Sequence, residues 1–412
     1  MIRRCLMLLM AVCVIIGFSA CTKKEHSNKP ETNQINPDEK SFSLPIENIR
    51  AFFPSLHGVA ATSSNGYYSG IKALKYTDIA SKQTITLCVQ PGCDHSDSSC
   101  QAWLGENVIS MCEYQGFIYA TVTEADGSLA FLKKDITTAK RTIIERWDIQ
   151  GENDYSVDIS LGVFSDGKCI LYLTKTTYQF SEQYNMMQMV SDTQAFVYDL
   201  HTGKRESLPE EFSNWNVYAM CGNRLLVAYS SYRFSEQEYY DLYGENGDYE
   251  TYLYNYIPAE IRMYDMETGE SKVIATEDEG LVLTTDFCNS YGYVSVYRLE
   301  DDICLFDLES QESSIIISMD RVINFWLMDH KVFLIQSFSE QPPYDGYYIY
   351  YMDMDGGDLI RLENEGATDS MHFSITWEGN DFFGGNYLGS AHLIRKEDFY
   401  AESYDKAWSG GY

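Results

Sequence analysis

The chain has 412 residues, with 61 Asp and Glu against 30 Lys and Arg, a formal charge of −31. So acidic a surface excludes nucleic-acid binding, which rests on neutralising phosphates, and argues against lying flat on anionic lipid. It suits cationic ligands or metal ions. Aromatic residues make up 14% of the chain, with 33 Tyr and 20 Phe but only 9 Pro, a composition that favours strands.

Residues 1–20 read as an export signal. Arg3 and Arg4 supply a positive start, and an apolar run from Leu6 to Phe18 follows that is too short to span a bilayer comfortably. The run ends in Phe18-Ser19-Ala20-Cys21, which resembles the lipobox of bacterial lipoproteins with Phe18 in place of the usual Leu. That resemblance implies that Cys21 carries lipid (palmitate among its acyl chains) and becomes the mature N-terminus. The other reading is a cleaved signal that happens to contain a cysteine. Residues 21–45 hold Lys23, Lys24, Glu25, Asn28, Pro30, Glu31, Asn33, Asn36 and Pro37 and almost nothing apolar. They cannot bury enough surface to offset their ordering entropy, so a flexible tether is expected. Residues 46–412 are left to fold, and no later apolar run is long enough to cross a membrane.

Within 46–412 one phrase recurs: an apolar strand ending in Asp, a polar turn, then a further strand. It is seen as Leu74-Lys75-Tyr76-Thr77-Asp78, Phe131-Leu132-Lys133-Lys134-Asp135, Val197-Tyr198-Asp199-Leu200-His201-Thr202-Gly203 and Met263-Tyr264-Asp265-Met266-Glu267-Thr268-Gly269. Leu305-Phe306-Asp307 and Tyr351-Met352-Asp353 follow, with a weaker seventh copy, His392-Leu393-Ile394-Arg395-Lys396-Glu397-Asp398. The first six aspartates lie 57, 64, 66, 42 and 46 residues apart. Alternating apolar residues give half-buried strands, and Thr-Gly or Gly-Gly gives a tight turn. A second hairpin precedes each phrase, as in Val217-Tyr218-Ala219-Met220-Cys221-Gly222-Asn223-Arg224-Leu225-Leu226-Val227. Four strands per unit at this period predict an all-β fold, a β-propeller of about seven four-stranded blades; an array of β-sandwiches is the competing fold. The Tyr-Asp-x-x-Thr-Gly phrase resembles the turn between third and fourth strands of TolB-type and WD40-like propellers.

With strands lettered a to d from the centre outward, blade four is expected to run a over 217–220, b over 225–229, c over 261–264 and d over 271–274. Strand alternation then puts b–c loops and d–a crossovers on one face, and a–b and c–d turns on the other. The long insertions, 230–260 among them, fall on the first face, and three share a tetrapeptide after strand b: Phe180-Ser181-Glu182-Gln183, Phe234-Ser235-Glu236-Gln237 and Phe338-Ser339-Glu340-Gln341. Long loops on a compact scaffold are usually functional or disordered. Tyrosine also gives contact area at low entropic cost. Phe180, Phe234, Tyr239, Tyr240, Tyr243, Phe338, Tyr344 and Tyr347 are therefore the ligand-face candidates, the alternative being that they pack the insertions together.

The sharpest local signal is Cys88-x4-Cys93-x-His95-x4-Cys100, set in the crossover between blades one and two. Three thiols and an imidazole suit tetrahedral zinc, although the spacing matches no zinc-knuckle pattern. A disulfide stapling the crossover, a redox thiol, or no special role are the alternatives. Three cysteines cannot all pair locally. The segment resembles cysteine-rich crossovers of other bacterial lipoproteins, which implies no activity. Cys112, Cys221 and Cys288 each stand at the end of an a strand and, with Cys169 and Cys304, read as small core residues.

Nucleophile-elbow, phosphate-loop and zinc-helix motifs are absent from the sequence. Ser165-Asp166-Gly167 resembles a fragment of a sialidase Asp-box without its Trp. Asp301-Asp302 and Asp353/Asp355/Asp358 offer calcium ligands, but read more simply as solvated turns. The sequence therefore points to a membrane-anchored, extracytoplasmic binding module for a protein, peptide or glycan. The alternative is an exported glycan hydrolase or lyase that uses paired carboxylates in the channel.

Overall fold

The computed structural model describes residues 54–409 except 56–57, 64, 149–154, 166, 182–185, 214, 233–255, 284–289, 292, 339–346, 363–373 and 388–389. Seven antiparallel sheets, consecutive in sequence, form the ring of a β-propeller. Blade 1 comprises Gly58–Ser63, Gly66–Ser69, Lys75–Asp78 and Gln83–Thr86, with Pro54–Ser55 as an extra inner strand. Blade 2 is Asn107–Tyr114, Phe117–Thr123, Leu129–Asp135 and Arg141–Trp147, and blade 3 is Tyr155–Ser165, Lys168–Ser181, Met186–Asp199 and Arg205–Ser207. Blade 4 is Asn216–Cys221, Arg224–Tyr232, Tyr256–Asp265 and Ser271–Thr276. In blade 5 the short strands Leu281–Val282 and Ser290–Tyr291 both pair with Val294–Leu299, followed by Asp302–Asp307 and Glu312–Ser318. Blade 6 is Val322–Met328, Lys331–Ser337, Tyr347–Asp353 and Ile360–Arg361, and blade 7 is Ser374–Glu378, Phe382–Tyr387, Ser390–Arg395 and Trp408–Ser409.

The inner strands read as continuous apolar runs because a neighbouring blade covers each side of them. In Phe117–Thr123, Ile118, Ala120 and Val122 enter the core shared with blade 1, while Phe117 and Tyr119 enter the core shared with blade 3. Along Lys331–Ser337, Val332 and Leu334 face blade 5, whereas Phe333 faces blade 7. A one-residue slip would exchange the two sets, so register is pinned from both sides. Each of the seven seams between adjacent blades has its own apolar cluster, the last joining blade 7 to blade 1 through Tyr67, Ile79, Trp377, Phe382 and Leu393. The outer strand Arg141–Trp147 is covered as fully on neither side and has no buried residue.

The recurring Asp has a local cause. Asp265 Oδ1 accepts the N–H groups of Glu267 and Thr268 at 2.9 and 3.2 Å, Thr268 Oγ1 accepts that of Glu270 at 3.2 Å, and Gly269 takes the left-handed φ of +73°. Asp135, Asp199 and Asp307 make the same pair of bonds, and Asp78 binds the N–H and Oγ of Ser81. The fourth residue after the Asp has positive φ even where it is Lys82, Ala139 or Gln311. The phrase is thus a turn made by side-chain capping.

Two expectations need correction. In blade 7 the place of the turn Asp is taken by Arg395, which pairs with Phe382 as Asp135 pairs with Phe117. The chain runs on into a short helix, Lys396–Tyr400, so Asp398 is helical and pairs with Lys406 instead. The strands flanking the insertions are also longer than the apolar pattern alone suggests. In blade 4 pairing continues to Ser231 with Ile257 and Tyr232 with Tyr256, and in blade 3 it continues to Phe180 with Met187 and Ser181 with Met186. Phe180 and Ser181 therefore lie within strand b rather than after it. Backbone pairing extends a ribbon beyond the point where burial stops dictating side-chain type, so polarity marks its end too early.

Candidate metal centre

The crossover from blade 1 to blade 2 is laced to the loop between the second and third strands of blade 1. Leu87 N–H donates to Leu74 O at 2.9 Å, Leu74 N–H to Ala102 O at 2.8 Å, and Leu104 N–H to Lys72 O at 2.7 Å. Beneath it Ala102 and Trp103 are buried with Cys100, against Ala73, Cys88 and Cys93. Turns then fold the segment back on itself. Asp94 Oδ1 accepts Ser96 N–H and Oγ, and Asp97 Oδ1 accepts Ser99 N–H, so both carboxylates serve their own turns. Gly92 and His95 take left-handed φ values of +73° and +59°.

The result brings one ligand atom from each of Cys88, Cys93, His95 and Cys100 within 4.8 Å of the others. His95 Nδ1 lies 3.2 Å from Cys100 Sγ, and Ala102 N–H points at the same sulfur from 3.3 Å. Cys100 is buried and the other three are half-buried. Burial pushes the Cys100 thiol up to about 11, while the Gln90 backbone N–H draws Cys88 below the usual thiol range. The three cysteines are free thiols. Three sulfurs and one imidazole nitrogen can hold a thiophilic cation or, after oxidation, leave one disulfide and one thiol. Among the described residues this is the one convergent set of three or more His, Cys, Asp or Glu. Asp353, Asp355 and Asp358 form no such set, and Asp353 pairs with Lys331.

Under the cluster sits Lys134, 2% exposed, from strand Leu129–Asp135 of blade 2. Its ammonium donates to the carbonyls of Gln101, Ala139 and Trp103 at 2.6, 3.1 and 3.3 Å. Burial draws it down to about 8 and Arg141 adds to that, whereas charge on Cys100 or Cys88 would push it up. Nothing in the Lys133-Lys134-Asp135 run marks one lysine as buried. The strand's alternation places Lys134 on the side facing the crossover.

The ligand-face candidates fare unevenly. Phe234, Tyr239, Tyr240, Tyr243 and Tyr344, like the core candidate Cys288, lie outside the described residues. Phe338 is 43% exposed and rests on Tyr348 with ring centroids 4.4 Å apart, and Tyr347 is half-buried where it pairs with Ser337. Cys112, Cys169 and Cys304 are buried in seams between blades, and Cys221 packs partly buried against one.

The face of short turns carries a polar cluster that sequence reasoning missed. Asp329 and His330 form the first turn of blade 6, Glu378 ends the inner strand of blade 7, Tyr291 ends that of blade 5, and Lys396 and Tyr400 come from the blade 7 helix. Lys396 Nζ lies 2.7 Å from Asp329 Oδ1 and 3.7 Å from Glu378 Oε2. Tyr400 OH donates to Asp329 Oδ2 and the Asp329 N–H to Glu378 Oε2, each at 2.7 Å. Burial pushes Glu378 up to about 7 against the opposing charge of Lys396, and burial raises both Tyr291 and Tyr400.

The molecule is a seven-bladed β-propeller. No family model and no curated protein matches the chain. Among solved structures it is similar to an oligogalacturonate lyase in complex with manganese (TM-score 0.46, 13% identity, 86% of this chain and 92% of that one). It is also similar to TolB from Acinetobacter baumannii (TM-score 0.30, 14% identity, 78% of this chain and 65% of that one). Dipeptidyl peptidase 4 of Porphyromonas gingivalis gives a TM-score of 0.41 at 11% identity, over 86% of this chain and 58% of that one. The chain thus spans less than two thirds of the TolB and peptidase chains. These likenesses speak to the fold alone.

Proposed function

We propose that the chain is a lipid-anchored propeller, held outside the cytoplasm on a bacterial membrane through Cys21, that works by binding a protein, peptide or glycan on one face. The observation that carries this reading is the placement of its elaborations. Strands alternate in direction, so the second strands of all blades end on one face, and there the strands that precede and follow 182–185, 233–255 and 339–346 have their ends. The Cys/His crossover opens onto the same face. Opposite it, turns such as Gln115-Gly116 and Gly222-Asn223 are short. Binding is further favoured over glycan hydrolysis because the paired carboxylates, Asp329 and Glu378, belong to the short-turn face and are engaged by Lys396.

Two measurements test this. With Cys21→Ala, the protein should lose metabolic palmitate labelling and move from membrane to soluble fraction; continued membrane association would remove the anchor. Full-length protein in detergent should capture an envelope protein or an arrayed glycan. Replacing 233–255 by an Asn-Gly turn between Tyr232 and Tyr256 should reduce that capture at least tenfold and leave the melting temperature within a few degrees. Capture unaffected by shortening any of the three connections would overturn the face assignment.

A further inference from the structure

We propose that Cys88, Cys93, His95 and Cys100 bind one zinc ion in a closed, four-coordinate site that locks the crossover between blades 1 and 2, with Lys134 as its buried counter-charge. The four ligand atoms already stand within 4.8 Å of one another. Tetrahedral zinc, with bonds of about 2.3 Å to sulfur and about 2.0 Å to nitrogen, sets its ligands roughly 3.5–3.8 Å apart. Closing onto the ion therefore takes side-chain shifts of about an ångström and no rearrangement of the backbone. A disulfide would use two sulfurs at about 2.0 Å and strand the third thiol and the imidazole.

Charge separates the two alternatives more sharply than distance. Three thiolates and a neutral imidazole around a dication leave a net charge of minus one. Lys134 lies buried next to that centre, hydrogen-bonded to the carbonyls of Gln101, Trp103 and Ala139. Gln101 directly follows Cys100, so the ammonium is held against the segment that supplies the last sulfur. Burying a cation is costly without an opposite charge, and an anionic metal–thiolate centre provides one where a neutral disulfide does not. The Ala102 N–H directed at Cys100 Sγ from 3.3 Å is likewise the kind of donor that steadies a metal-bound thiolate.

All four coordination positions come from the protein, and Asp94 and Asp97 are taken up by Ser96 and Ser99. Without an open position for water or substrate the centre is structural rather than catalytic. It explains why Gly92 and His95 keep left-handed backbone in an otherwise exposed loop: each turn aims a ligand inward.

The test is metal analysis of the full-length chain, purified in detergent without chelator or reductant. One zinc per chain is expected, and chelation should release it while making three thiols reactive. Cobalt substitution should give the visible bands of a tetrahedral thiolate site. Cys93→Ser and His95→Ala should reduce zinc to background, whereas His95→Cys, which restores a fourth ligand, should retain it. Lys134→Met should weaken affinity tenfold or more with all four ligands intact. Wild-type protein that carries no zinc and yields a disulfide between two of Cys88, Cys93 and Cys100 on peptide mapping would overturn the proposal. So would zinc content indifferent to Cys93→Ser.

Discussion

Trp377→Ala is expected to destabilise the protein by about 3–5 kcal/mol and to loosen both ends of the chain at once. Each blade is built from consecutive strands, so among the described residues no strand passes between blade 1 and blade 7 to latch the ring. Among the described residues side chains close it. Tyr67 of blade 1 meets Trp377 edge-on with centroids 5.2 Å apart, and Trp377 meets Phe382 at 5.4 Å. Lys82 of blade 1 lies over the Trp408 ring at 4.3 Å, on the outer strand of blade 7. Among the described residues this seam has five buried apolar side chains, against fifteen between blades 5 and 6, so losing an indole removes a large share of it. Gly384 gives an independent route to the same state, because a Cβ there would stand 2.0 Å from the Trp377 indole. Gly384→Ala must push the ring out of the seam rather than leave a hole. In urea melts both variants should shift the midpoint strongly. Hydrogen exchange should then accelerate in Gly66–Ser69 as well as in Phe382–Tyr387. If only the blade 7 strand loses protection, the seam is not what closes the ring.

The features legible in the sequence are those whose cause is local. In four blades the turn Asp recurs because one carboxylate caps two N–H groups within three residues, and Asp78 and Asp353 hold the same place, so six blades announce themselves whatever the lengths of their insertions. The Cys/His cluster is legible for the same reason: thirteen consecutive residues supply all its ligands. Blade 7 was harder, since a helix replaces its turn and Arg395 stands where the Asp would be. The extents of the long ribbons were illegible too. Phe180 pairs with Met187 through the backbone, which leaves no mark in the apolar pattern. The partners across blades were hidden most deeply. Lys134 looks like any strand lysine until the crossover is laid over it. Asp329, Glu378 and Lys396 come from two blades and meet only when the ring brings those blades side by side.

That last meeting has the second large consequence. Lys396→Met should cost about 3–5 kcal/mol at neutral pH and above, and the share of that cost owed to Glu378 should vanish on acidification. The ammonium pairs with Asp329 and reaches Glu378, all three side chains being 16–19% exposed. Removing it leaves the Asp329 and Glu378 carboxyl groups side by side without their cation, held by hydrogen bonds from Tyr400, Tyr291 and the Asp329 N–H. Glu378 titrates near 7 in the folded protein, above the ordinary 4.5, chiefly because it is buried. The folded state thus binds this proton more tightly than the unfolded chain does. Its contribution to stability is complete below the ordinary value and is lost as pH rises through 7. Lys396 opposes that upward displacement, so without it Glu378 should hold its proton to still higher pH, and the falling limb should extend further. Urea melts from about pH 5 to about pH 8 should show the gap between variant and wild type narrowing towards the acid end. Glu378→Gln should flatten the profile in both backgrounds. A penalty equal at every pH would assign the role of Lys396 to its contact with Phe383, whose ring centre lies 5.4 Å from the ammonium. In that case the carboxylates would owe their stability to Tyr400 and the backbone rather than to charge.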